Sequence, residues 1–363
     1  MTEPDSIGIA RNQLRDAIAE FQPPPCNPLA ISPWVAMSLL QKAIRRGRRV
    51  LALRAAATLL TGSPERLWRR LACIAFEDVG LADIDTVATV TAVVGKKFRE
   101  FLGGEWATAS FLVSKMADAP KCRAADDLLI AAESHPNFED ARLQFAFRNT
   151  QDLIRIATGA DPLPIRALAA WYGLGTDRRP SPRLSLRQGD PTGLFSALRE
   201  IIPPAVVEIA REGFRKTGEV LCPFFALLCP LRQHETTVIV NDKFPPEMMI
   251  GDIPGWSYDL YSREGRRALG VFLEGDSETA RWVRAHIPSP QRVSFLGGIV
   301  FRVEGGAVKS RLRWATGDEL RRQVDVECNG PHCPDATEIL QLVRDGISAL
   351  NEVRLRLNGG AIQ

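Results

Sequence analysis

Apolar positions along residues 31–160 recur three and four apart, the spacing of one buried helix face. Val35, Leu39, Leu40, Ala43 and Ile44 predict a first helix, opened by Ser32-Pro33 as N-cap and first-turn proline and ended or bent at Gly47. Val50 to Leu60 is rich in alanine and leucine, both strong helix formers, and Gly62 closes it. Ser63-Pro64-Glu65 restarts the pattern with a cap, a proline and an acid at the positive helix end. Leu67, Leu71, Ile74 and Ala75 form the buried stripe there, and Arg66, Arg69 and Arg70 face away. Further helices are predicted over Ile84–Val94, Gly104–Ala117, Arg123–Ser134 and Glu139–Ile156. The short connections favour antiparallel neighbours in a bundle.

The pattern weakens outside this stretch. Residues 1–30 read as an N-terminal extension, with a short helix from Ile9 to Phe21 ahead of a proline-rich run. Residues 159–191 concentrate glycine and proline and are the expected linker, with Arg178 to Arg183 exposed. Residues 192–363 are expected to form a second, mainly helical domain, with helices near Thr192–Ile202, Val206–Lys216, Arg263–Leu273, Ser277–His286, Asp318–Val324 and Asp335–Arg354. Thr236 to Val240 reads as a short strand. Ile299–Val303 and Ala307–Trp314, joined by Glu304-Gly-Gly306, read as a small hairpin. The predicted class is mainly α: a helical collar-like domain over residues 31–158, then a mainly helical domain with a minor β element.

The chain has 363 residues, 45% hydrophobic and 25% charged, which gives enough apolar material for two domains. No apolar run approaches the roughly 18 residues of a membrane span. The polar start Met1-Thr-Glu-Pro-Asp does not read as a secretory signal, so a cytoplasmic location with no membrane partner is expected. An odd count of seven cysteines argues against a disulfide framework. The net charge of +3 does not by itself mark a nucleic-acid binder, but the arginines are clustered.

Candidate chemistry is sparse. A P-loop is missing: Gly305-Gly-Ala-Val-Lys-Ser310 is the nearest approach and lacks the spacing. There is no Gly-x-Ser-x-Gly and no Cys-x-x-Cys, and His135, His234, His286 and His332 sit outside any acid–base motif. No catalytic residue, cofactor or metal is therefore assigned. Glu77-Asp78 could hold a metal in a nuclease-like site, but pairing with an arginine such as Arg69 or Arg70 is the favoured reading. Cys328, His332 and Cys333 offer three metal ligands without a visible fourth. Arg45, Arg46, Arg48 and Arg49 are candidate phosphate contacts, weighed against a solvated helix end. Arg263, Arg266 and Arg267 form a second basic group, with Arg281 and Arg284 beyond and with Trp256, Tyr258 and Trp282 as stacking or core aromatics.

These motifs carry a resemblance. Trp34 to Gly47 holds Ser38, Lys42 and Arg45 in a Ser-x-x-x-Lys-x-x-Arg helix. Ala52–Leu60 follows, then Arg69-Arg70 leading to Glu77-Asp78-Val-Gly80-Leu-Ala-Asp83, then Ala119-Pro120-Lys121-Cys-Arg-Ala-Ala-Asp126. In this order they resemble the C-terminal helical region of the RarA/MgsA proteins, relatives of the Werner-helicase-interacting protein and of clamp-loader ATPases. The likeness covers roughly residues 31–140. Gly255 to Arg266 is only loosely similar to an Asp-x-His-Thr-Arg-x-Gly segment of that family, with Tyr261 where histidine would stand. In that family this region builds the oligomer, often a tetramer, and an N-terminal ATPase acts at stalled replication forks. The resemblance implies a non-catalytic, oligomerising accessory module of DNA replication, recombination or repair, without ATP hydrolysis, whose partner is DNA or a replication protein. Lys42, Arg69, Arg70, Glu77, Asp78, Gly80, Pro120 and Lys121 are its structural motif positions. Two competing readings are a metal-dependent nuclease using Asp252, Asp259 and Glu264, which requires convergent carboxylates, and a mobile-element or defence protein that mimics the collar.

Overall fold

The computed structural model describes residues 5–99 and 102–359, and it is mainly helical, with two small antiparallel strand pairs. The first helices are α1 (Ser6–Glu20), α2 (Pro33–Arg45), α3 (Arg49–Gly62), α4 (Pro64–Ile74), α5 (Ile84–Val93), the short α6 (Lys96–Arg99), α7 (Glu105–Asp118) and α8 (Ala124–Ser134). α2 begins as its sequence predicts: Ser32 Oγ accepts the Val35 amide and Pro33 occupies the first turn. α1 starts earlier than Ile9 because Asp5 Oδ1 caps the Gly8 amide at 2.8 Å. Its Ile7, Ala10, Leu14 and Ile18 are buried, so this part of the N-terminal extension is packed against α5 and a later helix, Pro204–Thr217.

The chain continues through α9 (Glu139–Phe145), α10 (Thr150–Thr158), α11 (Leu163–Leu174), α12 (Pro191–Arg199), α13 (Pro204–Thr217) and α14 (Leu221–His234). The single helix expected over Glu139–Ile156 is interrupted, and Asn149 Oδ1 caps α10 by accepting the Asp152 amide at 2.8 Å. Residues 159–191 are not wholly a linker. They contain α11, whose Trp171 and Tyr172 are buried in the same hydrophobic core as α2, α4 and α8. Leu163-Pro164 opens α11, and seven apolar residues follow before Gly173, a signal masked by the surrounding glycines and prolines. α14 was not foreseen because it carries Pro223 and Pro230, yet its face from Leu221 to Cys229 is buried.

The first core therefore runs on past the expected domain boundary at residue 192 and also takes in Ile250, Ile253, Trp256, Tyr258, Leu312, Trp314 and Leu320. A separate core is built by α15 (Arg263–Glu274), α16 (Glu278–His286), α17 (Arg292–Val300) and α19 (Ala336–Asn358), around Leu269, Val283, Leu296, Ile339 and Ile347. α18 (Ala315–Val326) returns to pack on α8.

The β content is small. β1 (Val238–Val240) pairs antiparallel with β4 (Arg311–Arg313), and β2 (Met249–Ile250) pairs with β3 (Ile253–Pro254). The strand predicted near Val240 is present, but the local hairpin is not. Ile299–Val303 ends α17 and passes into a π-helical turn, Phe301–Gly305, so β4 pairs with a strand far away in sequence.

Candidate functional site

A second π-helical turn, Ala75–Val79, extends α4 and carries Glu77 and Asp78. Such turns insert one extra residue and frequently mark functional positions. Gly80 then reverses the chain at φ +51°, and a Cβ there would lie 2.4 Å from the Cys122 carbonyl oxygen. Glycine is required both by the backbone conformation and by this close approach. The crossing brings Glu77 and Asp78 against Arg123, at the start of α8, and against Arg45, at the end of α2.

Arg45 Nε donates to Asp78 Oδ1 and its Nη2 to Glu77 Oε1, each at 2.5 Å, and Nη1 reaches the Gly305 carbonyl at 2.8 Å. Arg123 Nη1 donates to Asp78 Oδ1 and, at 3.2 Å, to Glu77 Oε1, while its Nη2 donates to Asp126 Oδ2. Gln41 Nε2 occupies Asp78 Oδ2 at 2.9 Å, and Arg70 Nη1 holds the Gln41 carbonyl oxygen at 3.1 Å. Both buried guanidinium groups lie over the Phe301 ring, at 5.0 and 5.2 Å. The carboxylate pair is thus held by arginine, as expected, but Arg45 and Arg123 take the direct contacts. Arg69 is exposed and takes no part.

One turn earlier on α2, Lys42 Nζ donates to Asp259 Oδ2 at 2.7 Å, to the Trp256 carbonyl at 2.7 Å and to Ser38 Oγ at 2.9 Å. These bonds join the first core to the segment that leads into α15. Burial pushes the Lys42 ammonium below its ordinary pKa, with Asp259 opposing that shift. Lys121 serves the other end of the network. Its backbone, after Pro120, bridges to Arg311 of β4, and its Nζ caps α7 through the Ala117 and Ala119 carbonyls. Burial lowers its pKa to about 8.

Lys42, Arg45, Glu77, Asp126 and Asp259 line one cleft of about 530 Å³. Trp34, Met37, Leu260, Tyr261 and Phe301 supply apolar wall, and Gly297 and Gly298 of α17 lie alongside. In the pairs of Glu77, Asp126 and Asp259 the acid is the more accessible partner, keeping 16%, 13% and 15% of its side-chain surface against 2% for Arg45 and 4% for Arg123 and Lys42, whereas Asp78 is fully buried. Arg70, Arg179, Arg302 and Glu133 also line the cleft, so its wall carries both signs of charge. The two network acids also differ in proton affinity. Burial would raise Glu77, but Arg45, Arg123 and Arg70 hold it down at about 2. Burial raises Asp126 to about 7, helped by Glu77 and Asp127 and opposed by Arg123.

The expected phosphate contacts divide. Arg45 and Arg46 are 1% and 7% exposed, and Arg46 Nη2 bonds the Glu304 carbonyl at 2.7 Å with its guanidinium over Phe244 and Trp256, so neither presents a DNA-facing surface. The Arg45-Arg-Gly-Arg-Arg49 run is interior for its first half because α2 ends against the Phe301–Gly305 turn. Arg48 and Arg49 are exposed but paired, with Glu247 at 3.2 Å and with Asp118. Arg263, Arg266 and Arg267 on α15 are exposed and form no ion pair among the described residues. Trp256 and Trp282 are core residues.

The carboxylates proposed for a nuclease do not converge. Asp252 pairs with Arg54 at 3.1 Å, Asp259 with Lys42, and Glu264 lies half-buried on α15. Among the described residues, no group of three or more histidine, cysteine, aspartate or glutamate side chains is placed to hold a metal, and this includes Cys328, His332 and Cys333. Among them also, no helix is long and apolar enough to cross a membrane. No protein-family model, no curated protein and no solved structure matches the chain.

Proposed function

We propose that this protein is a non-catalytic, oligomerising accessory factor of DNA replication, recombination or repair that binds DNA through α15, in the cytoplasm. The observation that carries the DNA contact is the unpaired triad Arg263, Arg266 and Arg267. Spacing of three and four places them on one face of α15. They also crowd the first turn and a half of the helix, the positive end of its dipole, where each cation is unfavourable by about 0.3–1 kcal/mol. Like charges in this arrangement repel, and Glu264 in the same turn forms no ion pair with them among the described residues. A phosphate backbone would neutralise the side chains and the helix end together.

The accessory reading is supported by the way the family-like segments fit one another. The Ser-x-x-x-Lys-x-x-Arg helix, the Glu77-Asp78 turn and the Pro120–Asp126 segment lie apart in sequence and meet in one buried charge network. That supports a shared collar-like architecture, and with it assembly into an oligomer such as a tetramer.

The test is fluorescence anisotropy with single-stranded, duplex and forked DNA across a salt series, without nucleotide. Binding should weaken steeply with salt, and Arg263→Glu/Arg266→Glu/Arg267→Glu should reduce the log–log salt slope by roughly 3 for duplex. Charge reversal at the paired Arg48 and Arg49 should have a smaller effect. Absence of binding to every DNA form would overturn the DNA contact and leave a replication protein as the partner.

A further inference from the structure

The small sheet of β1 and β4 has one open edge. β1 pairs with β4 in the register Val238 to Arg313, Ile239 to Leu312 and Val240 to Arg311. The far side of β4 is covered, because the Leu312 amide donates to the Lys121 carbonyl at 2.7 Å and the Lys121 amide to the Ser310 carbonyl at 2.9 Å. Leu312 thus turns its backbone groups away from β1. Backbone groups alternate in direction along an antiparallel pair, so Ile239 opposite it turns its own N–H and C=O to the outer edge. Neither group has a hydrogen-bond partner among the described residues. The Val238 and Ile239 side chains are 54% and 53% exposed. Thr236 to Asn241 contains no charge and no proline, the residues that usually blunt an exposed edge.

We propose that β1 pairs antiparallel with β1 of a second copy of this chain, about a two-fold axis at Ile239, to make one four-stranded sheet. The occupant is a second copy because the segment is complementary to itself. An antiparallel strand centred on Ile239 sets that residue against its own copy, and the two exchange both N–H···O bonds. Val238 then meets Val240, Thr237 meets Asn241 and Glu235 meets Lys243, each twice over. Lys243 is exposed and forms no ion pair among the described residues. Glu235 accepts the Thr316 amide at 2.9 Å but has no cation beside it among those residues. Asp242, which falls opposite Thr236, is already paired within its own chain by Arg311 and Arg321. Opposite charges therefore meet at both ends of the ladder and no like charges face each other between them. Lys121 covers the far side of β4, so one edge is open per chain and pairing stops at two chains. This inference rests on the oligomer reading above and gives it a surface; it does not depend on the DNA contact read from α15.

The experiment is sedimentation velocity of the full chain over a concentration series, with residue-resolved hydrogen exchange at its dilute and concentrated ends. The parent should associate, and the Ile239 amide should gain protection as concentration rises. The Val238 and Val240 amides, which face β4, should be protected throughout. Ile239→Lys sets two ammonium groups against each other on the axis and should weaken association about tenfold or more. Lys243→Glu sets a carboxylate opposite Glu235 at both ends of the ladder and should weaken it by a smaller factor. Both side chains are exposed and the Ile239 amide takes no part in the pairing with β4, so the dilute variants should melt with the dilute parent. A parent that stays monomeric throughout would overturn this pairing and the oligomer reading together. An associating parent whose Ile239 amide gains no protection, or whose association neither variant weakens, would overturn the pairing alone and leave the oligomer to another surface.

Discussion

Arg45 Nε lies 2.5 Å from Asp78 Oδ1, with 2% and 0% of the two side chains exposed, across 33 residues of sequence. A buried pair of this kind contributes little net stability relative to apolar side chains of the same shape, but breaking it leaves an uncompensated charge. Asp78 also receives Arg123 and Gln41, so its loss strips three hydrogen bonds at once.

Asp78→Ala should therefore destabilise the protein by about 3–5 kcal/mol in urea unfolding. Adding Arg45→Met to that variant should cost less than Arg45→Met alone, because Arg45 has by then lost one of its two carboxylate partners and keeps only Glu77. Additive losses would mean that the two residues act separately.

Lys42 makes an analogous prediction between the two cores. Lys42→Met leaves Asp259 mostly buried without its cation, at a cost of about 3 kcal/mol. The second core should loosen first, since Lys42 also holds the Trp256 carbonyl at 2.7 Å ahead of α15. Hydrogen exchange should accelerate in α15 and α17 before α2 and α3. Uniform acceleration would place the effect in global stability instead.

Gly80→Ala should be among the most damaging small substitutions. The residue combines φ +51° with a Cβ position 2.4 Å from the Cys122 carbonyl oxygen, and Cys122 precedes Arg123. The left-handed conformation alone costs about 1–2 kcal/mol, before backbone displacement. A thermal midpoint within a degree or two of the parent would show that the turn relaxes freely.

What was legible in the chain was local. Ser32-Pro33 announced α2, and the apolar spacing of Val35 to Ile44 located its buried face. Arg45 and Arg46 were misread because an Arg-Arg-Gly-Arg-Arg run ending a helix usually meets solvent; here Gly305 and Glu304, some 260 residues away, supply the carbonyls that hold it inside. The two π turns have no distinct periodicity, so Ile299–Val303 read as a strand before a glycine turn. Asp126 was visible only as the end of a family-like segment. Its role in the cleft depends on contacts with Arg123 and on the approach of Phe301 and Tyr261, which no local pattern encodes.

The pH dependence of stability isolates Asp126. Its carboxyl is raised to about 7 from an ordinary 3.8, by burial and by Glu77 and Asp127 against the pull of Arg123 and Arg45. Between these values the folded protein holds a proton that the unfolded chain has released. Stability from this group is fully present below about pH 4 and is lost as pH rises through 7. Glu77 works in a different window: held at about 2 against an ordinary 4.5, it stabilises above pH 4.5 and loses that contribution as pH falls through 2. Asp127 and Asp325 are also raised by burial and share the sign of Asp126. Urea unfolding of the parent should thus show stability declining from pH 5 to 7, by up to about 1.4 kcal/mol per pH unit from Asp126. Asp126→Asn cannot titrate, so its curve should be flatter across that range, with the residual slope belonging to Asp127 and Asp325. Because the parent loses more stability with rising pH than the variant does, the variant should gain on the parent towards pH 7.5. Parallel curves for the two proteins would remove Asp126 as the buried proton holder and would leave its oxygen in the cleft permanently ionised.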